Sequence, residues 1–138
     1  MKPLKELEFV LLIDPPRTTE QEHRVGGRKA NGQYIVYRDP KLINVMDTYF
    51  TELRPYVPES PFVGPVSLTV EWGFPNKTQK TWGSWKVTRP DTDNMIKLLK
   101  DCMTRSGFWR DDSQVCNETL RKKWSESGYV WIRIEAIE

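Results

Sequence analysis

Apolar and polar residues alternate in four segments of the chain, and this period of two predicts β-strands. The first segment, ELEFVLLID (6–14), is apolar at every second position from Leu7 onward. The segment PVSLTVEWGF (65–74) alternates most cleanly, and SQVCNETLRKKW (113–124) and GYVWIRIEAIE (128–138) predict two further strands. In the 65–74 segment the residues expected on the buried side are Val66, Leu68, Val70 and Trp72.

Apolar residues spaced three and four apart predict two helices. In residues 39–58, Asp39 is the expected N-cap and Pro40 the expected first helical residue. Residues 93–107 are predicted to form the second helix, and Gly107 is its expected C-terminal cap. The predicted apolar stripe of this second helix consists of Met95, Leu99, Cys102 and Met103.

Two segments show neither period and are rich in proline, glycine and charge. Residues 15–33 and 73–90 are therefore predicted to be long, mobile loops. The order strand–helix–strand–helix–strand–strand predicts a single α+β domain spanning residues 1–138, with two main helices packed on one mixed sheet.

Composition narrows the class of protein but identifies no partner. A chain of 138 residues with 38% hydrophobic and 29% charged residues suits one folded domain. The net charge is only +2, so a nucleic-acid contact would have to be a local patch. No apolar run approaches the roughly 20 residues that span a bilayer. The two cysteines lack metal-ligand spacing, so we expect reduced thiols in a cytoplasmic protein.

The 73–90 segment is a candidate DNA-binding loop, because it carries four positive charges, no acid and interleaved tryptophans. The alternative is a hairpin whose tryptophans pack on the domain or at a dimer contact. The basic run Arg121–Lys123 is either a solvated strand face or a track for a phosphate backbone. The predicted DNA-binding residues are Lys77, Lys80, Trp82, Trp85, Lys86 and Arg89.

Two pairs of acids flank the second helix. Asp91 and Asp93 precede it, and Asp111 and Asp112 follow it. A purely structural account exists for both pairs. Either Asp91 or Thr92 caps the helix while Asp93 pairs with Lys97 one turn on, and the later doublet lies in an ordinary turn.

A functional account joins the two pairs. A helix that runs back along the sheet could bring Asp112 next to Asp91 and Asp93, where the three carboxylates would repel one another unless a cation neutralised them. Oxygen ligands suit Mg²⁺, which assists phosphodiester hydrolysis. Lys97, on the same helix face as Asp93, would stabilise charge on the phosphate and the leaving oxygen.

The segment RPDTDNMIKLLKDCMTRSGFWRDDSQVCNETLRKKW (89–124) resembles the RusA family of Holliday junction resolvases, which are endodeoxyribonucleases associated with phages and prophages. The family signature reads approximately PDxDNxxKxxxDxL, then a short aromatic stretch, then DDxQV and a basic strand. Met103 stands where a leucine is usual. The matching residues are Pro90, Asp91, Asp93, Asn94, Lys97, Asp101, Trp109, Asp111, Asp112, Gln114 and Val115.

The resemblance implies a homodimer with two active sites, each of which cuts one strand of a four-way DNA junction with Mg²⁺, for which Mn²⁺ could substitute. By position, the implied metal ligands are Asp91, Asp93 and Asp112, and the essential lysine is Lys97. Supporting roles fall to Asp111, beside the metal ligands, to Asp101, which would orient Lys97, and to Asn94, which would fix the turn.

The resemblance also implies a role in DNA recombination and repair in the cytoplasm of a bacterial or phage-infected cell. Some relatives carry a run of arginines where this chain has Thr88-Arg89-Pro90, so the basic contact to DNA is expected in the 77–89 loop instead. Two other functions remain open: a nuclease for flaps or forks, and a protein that binds junctions without cutting them.

Overall fold

The computed structural model describes residues 4–17, 24–28, 34–38 and 40–138. Within these ranges the chain forms six strands and two α-helices. In chain order they are β1 (Glu6–Leu11), β2 (Arg24–Arg28), β3 (Tyr34–Arg38), α1 (Pro40–Leu53), β4 (Val66–Pro75), α2 (Thr92–Ser106), β5 (Val115–Ser125) and β6 (Tyr129–Ala136).

Four of the strands form one mixed sheet in the order β1-β6-β4-β5. β6 pairs antiparallel with both β1 and β4, whereas β4 and β5 pair in parallel. A parallel pair needs a crossover connection, and α2 is the helix of that crossover. The predicted class, an α+β domain with two helices and one mixed sheet, is confirmed.

The core lies between this sheet and the helices. The four predicted inward residues of β4 are fully buried, and those of α2 form part of the same apolar cluster. Burial of one large apolar side chain contributes about 1.5–3 kcal/mol, so this cluster fixes α2 on the sheet. The residues that α1 buries against it are Leu42, Met46, Tyr49 and Leu53.

The loop prediction for residues 15–33 is wrong over Arg24–Arg28, which form β2 and pair antiparallel with β3. The sequence RVGGR has no alternating pattern, and a glycine pair disfavours a strand, so the pairing partner decides this structure. The remainder of 15–33 beyond Arg17, apart from β2, lies outside the described residues, as does the predicted N-cap Asp39.

After β4 ends at Pro75, the 73–90 segment is irregular apart from a short 3₁₀ turn at Gln79–Thr81 and an isolated antiparallel bridge between Trp85 and Lys123. Neither helix among the described residues has the length and apolarity that crossing a bilayer requires. Cys102 is buried and Cys116 is exposed, and they form no disulfide.

Candidate active site

A cavity of about 250 Å³ lies between α2 and β5. Asp93 and Lys97 reach it from α2, and Asp112 reaches it from the turn that precedes β5. Three of the four predicted catalytic residues therefore meet in one place, although they come from both ends of the crossover helix. The other residues that line the cavity are Thr92, Ile96, Lys100, Glu118 and Leu120.

Asp91, the fourth predicted catalytic residue, does not line this cavity. It occupies the N-cap position of α2 with φ −79° and ψ 147°, the extended geometry typical of an N-cap residue. Its side chain makes no capping hydrogen bond, although the N-cap position would allow one. The structural account of Asp91 as a helix cap is therefore not supported by its side chain.

Asp93 lies in the first turn of α2, where the helix dipole favours an anion. The alternative role for Asp93 was an ion pair with Lys97, one turn along the helix. No ion pair joins these two side chains in the part of the chain that the structure describes. Both are exposed to solvent at the cavity, so they are available to a ligand.

The two residues of the second acidic pair, Asp111 and Asp112, have different partners. Asp111 is the N-cap of a 3₁₀ turn, Asp112–Gln114, and its carboxylate accepts a hydrogen bond of 2.9 Å from the Ser113 backbone N–H. Gln114 completes a capping box, since its Oε1 accepts from the Asp111 backbone N–H at 3.2 Å. The hydrogen bonds from Ser113 lower the pKa of Asp111 below its ordinary value. Asp111 is thus committed to the turn, whereas Asp112 lines the cavity.

Gln114 fixes the position of this turn on the domain. Its Nε2 donates to the carbonyl oxygens of Phe62 and Gly64, both at 2.9 Å. Its Oε1 also accepts from the Arg110 backbone N–H at 2.9 Å. A single side chain therefore ties the acidic turn to a segment about fifty residues earlier in the chain.

Sequence reasoning missed two charged residues of the cavity wall, Lys100 and Glu118. They form an ion pair of 2.6 Å between α2 and β5, and both side chains are half-buried. Lys100 lies three residues after Lys97, so helical spacing could have indicated it. Nothing in the sequence indicated Glu118, because its place depends on how β5 passes the helix.

The carboxylates around the cavity determine whether it can bind a divalent metal ion. In the described ranges, no group of three His, Cys, Asp or Glu side chains is close enough to hold a metal ion, so the predicted meeting of three aspartates is absent. Asp93 and Asp112 share the cavity, while Glu118 is already paired with Lys100. Two carboxylates suit Mg²⁺, which keeps several waters and takes further oxygens from substrate phosphate.

Two residues of α2, Asp101 and Asn94, are predicted supporting residues. Asp101 forms an ion pair with Arg105 at 3.5 Å, one turn further along the helix. Its predicted role in orienting Lys97 stays a prediction. Asn94 is half-buried, and its side chain makes no hydrogen bond to another described residue that would fix the turn.

In the candidate DNA-binding loop, Lys77, Lys80 and Arg89 are exposed, as a phosphate contact requires. The Trp85 side chain is 62% exposed, and the Lys123 amino group lies 4.8 Å from its ring centroid. Trp82 is half-buried, and its indole N–H donates to the Asn76 carbonyl at 2.7 Å. Trp85 therefore offers the more accessible stacking surface of the two tryptophans.

Lys86 must be withdrawn from the predicted DNA-binding residues. Its side chain is only 3% exposed, and its amino group donates hydrogen bonds to the Thr88 carbonyl at 3.1 Å and the Thr88 hydroxyl at 2.6 Å. A buried amino group with these partners cannot reach a phosphate on the surface.

Comparison with known proteins adds family evidence to this geometry. A sequence profile for the family described as endodeoxyribonuclease RusA matches residues 15–135. A crossover junction endodeoxyribonuclease rusA from Lactococcus phage r1t is 28% identical over 134 residues, which cover 96% of this chain and 99% of the relative. The uncharacterized protein YqaN of Bacillus subtilis (strain 168) is 29% identical over 126 residues, covering 83% of this chain and 87% of that protein. The chain therefore belongs to the RusA family of endodeoxyribonucleases.

Proposed function

We propose that this protein is a Mg²⁺-dependent, structure-selective endodeoxyribonuclease that resolves Holliday junctions by paired nicks, as a homodimer. The observation that carries the proposal is the shared cavity of Asp93, Lys97 and Asp112. Family membership supports the nuclease activity, and the name of the phage relative supports a crossover junction as the substrate.

The proposed roles follow from the chemistry of each side chain. Asp93 and Asp112 would hold the metal, and Mn²⁺ could take the place of Mg²⁺. Asp91 does not line the cavity, but its exposed carboxylate has no hydrogen bond or ion pair within the described chain, so we propose that it joins as a third ligand only once the metal and DNA are bound. When bound, the ion would neutralise charge on the scissile phosphate and promote attack by water. The Lys97 amino group would stabilise negative charge on the phosphate and the leaving oxygen.

DNA would be held next to this cavity by the exposed part of the 73–90 loop. Lys77, Lys80 and Arg89 are proposed to contact phosphates, and Trp85 to stack on an exposed base at the junction. The loop leads directly into the acidic turn at Asp91, so DNA bound along it would arrive at the cavity.

A nicking assay on labelled four-way, three-way and flapped DNA, with and without Mg²⁺, tests this proposal. We expect metal-dependent nicking, fastest on the four-way junction and placed symmetrically on two strands. Faster cutting of flaps or forks would reassign the substrate to other branched DNA. Tight junction binding without any nicking in Mg²⁺ or Mn²⁺ would show a binding protein and refute the enzyme.

A further inference from the structure

Lysine side chains hold three successive backbone carbonyls immediately before Asp91. The Lys86 amino group donates to the carbonyls of Thr88 and Arg89. The Lys122 amino group, from β5, donates to the carbonyls of Thr88 and Pro90, each at 2.7 Å. The Thr88 carbonyl is shared by the two lysines, so they hold one segment together.

The environment of Lys86 is unusual for an ammonium group. The Lys86 amino group lies 4.9 Å from the Phe74 ring centroid and 4.8 Å from the Trp124 ring centroid, on a side chain that is 3% exposed. Its three hydrogen bonds use all three of its donors, and no carboxylate pairs with it among the described residues. Burial, and then the charges of Arg17 and Lys122, lower its pKa.

A buried charge without an opposite charge is costly, and the hydrogen bonds and aromatic faces offset only part of that cost. Backbone hydrogen bonds already hold the loop on β5. The Gly83 N–H donates to the Trp124 carbonyl at 2.8 Å, and the Lys86 N–H donates to the Lys122 carbonyl at 3.0 Å. Attachment of the loop to the sheet therefore does not by itself require the Lys86 ammonium. What the Lys86 ammonium adds is the orientation of the Thr88 and Arg89 carbonyl groups, and Lys122 adds that of the Pro90 carbonyl.

We propose that Lys86 and Lys122 are positioning residues that set the backbone from which the Asp91 and Asp93 carboxylates extend. This inference rests on the proposed function, since it concerns the same acids. The hydrogen bonds of Lys122 also link the two walls of the cavity, α2 and β5. Lys122 lies on β5 together with the cavity residues Glu118 and Leu120, and it holds the segment that leads into α2. Any shift of β5 relative to the loop would move Asp93 relative to Asp112.

The test compares Lys86→Met, Lys122→Met, the double variant and Lys5→Met. Methionine keeps the length and apolar stem of lysine and removes only the ammonium group. Lys5 is exposed, precedes β1 at the far edge of the sheet from β5, and provides the same change of charge. Each protein is measured for urea unfolding, for Mn²⁺ binding by electron paramagnetic resonance, for junction binding in EDTA, and for single-turnover cleavage across a Mg²⁺ titration.

For Lys86→Met and Lys122→Met we expect cleavage and Mn²⁺ affinity to fall by about 10- to 100-fold, the range for groups that orient metal ligands. Junction binding should change by less than about threefold in Lys86→Met, because its buried amino group does not reach DNA. Cleavage and Mn²⁺ affinity in the double variant should be only slightly lower than in the more impaired single variant, since both lysines hold the Thr88 carbonyl. A structural role alone would lower the urea midpoint without changing the Mn²⁺ affinity of the folded protein.

Folded variants with the Mn²⁺ affinity and cleavage rate of Lys5→Met would overturn the positioning role alone. A wild type that neither binds Mn²⁺ nor cuts would overturn the proposed function and the positioning role with it. If Lys86→Met does not fold, Lys122→Met decides the question, because Lys122 is less buried. A loss confined to junction binding in Lys122→Met would show a DNA contact and also contradict the proposal.

Discussion

Asp91 and Asp111 occupy the same position in two turns that flank α2, yet their carboxylates have different partners. Each is an N-cap residue in extended geometry. Asp111 uses its carboxylate to cap the turn, and Gln114 returns a hydrogen bond to its backbone. Asp91 makes no capping hydrogen bond.

This difference teaches that the hydrogen-bond partner, and not the residue type or its position, separates a structural acid from a catalytic candidate. In each turn one acid faces the cavity: Asp93 in the first and Asp112 in the second. In the second turn the neighbouring acid, Asp111, forms the capping box. In the first turn the neighbouring acid stays available, and lysines hold the backbone instead.

The largest expected effect comes from Asp93→Asn. The substitution keeps the shape of the side chain and removes the charge that would hold the metal, so single-turnover cleavage should fall on the order of 10³-fold. Junction binding should survive or tighten, because a negative charge near phosphate is removed. Unchanged cleavage in this variant would exclude Asp93 from the site.

Asp112→Ala and Asp111→Ala form a matched pair that would break the comparison between neighbouring acids. Asp112→Ala should reduce cleavage by about 100-fold or more with an unchanged urea midpoint, since its carboxylate lines the cavity. Asp111→Ala should lower the urea midpoint and keep cleavage within about tenfold, because it loses a cap. The reverse assignment of activity and stability between the two variants would contradict both roles.

Gln114→Ala sharpens the comparison, because it removes the side chain that ties the second turn to the domain. Loss of its hydrogen bonds to Phe62 and Gly64 should destabilise the protein by about 1–3 kcal/mol in urea unfolding. Cleavage by the folded variant should also decrease, since Asp112 would be less well placed. Wild-type stability would show that the turn is held by other contacts.

The smallest expected effect is on the free energy of unfolding at acidic pH. Hydrogen bonds from Ser113 lower the pKa of Asp111 below 3.8 in the folded state, so the unfolded chain takes up a proton first on acidification. The stabilisation that the Asp111 carboxylate provides is present above pH 3.8 and is lost as the pH falls through the lower pKa of the folded state. The difference in unfolding free energy between wild type and Asp111→Ala should therefore shrink below pH 3.8 and stay constant near neutrality.

The sequence predicted the parts of the fold whose pattern is local. The alternation in β4 and the helical stripe and Gly107 cap of α2 are confirmed, because burial of one face imposes those periods. Both β2 and β3 were missed, and RVGGR becomes a strand only through its pairing with β3.

The candidate site was predictable in part for the same reason. The motif indicated Asp93, Lys97 and Asp112, which do share a cavity. The capping box was readable in DDSQ, with Asp111 at the N-cap and Gln114 three residues on, and it could have assigned Asp111 to the turn. Burial of Lys86 was not predictable, since a lysine in a basic loop resembles any other until the tertiary structure places Phe74 and Trp124 beside it.

The central claim is that two carboxylates from opposite ends of the crossover helix share one metal site. Mn²⁺ binding to wild type, Asp93→Asn, Asp112→Asn and the double variant tests it most directly. We predict saturable binding by the wild type, about 10- to 100-fold weaker binding in either single variant, and little further loss in the double variant, because both side chains serve the same ion. Wild-type affinity in either single variant, or two bound ions of which each single variant loses a different one, would contradict a shared site.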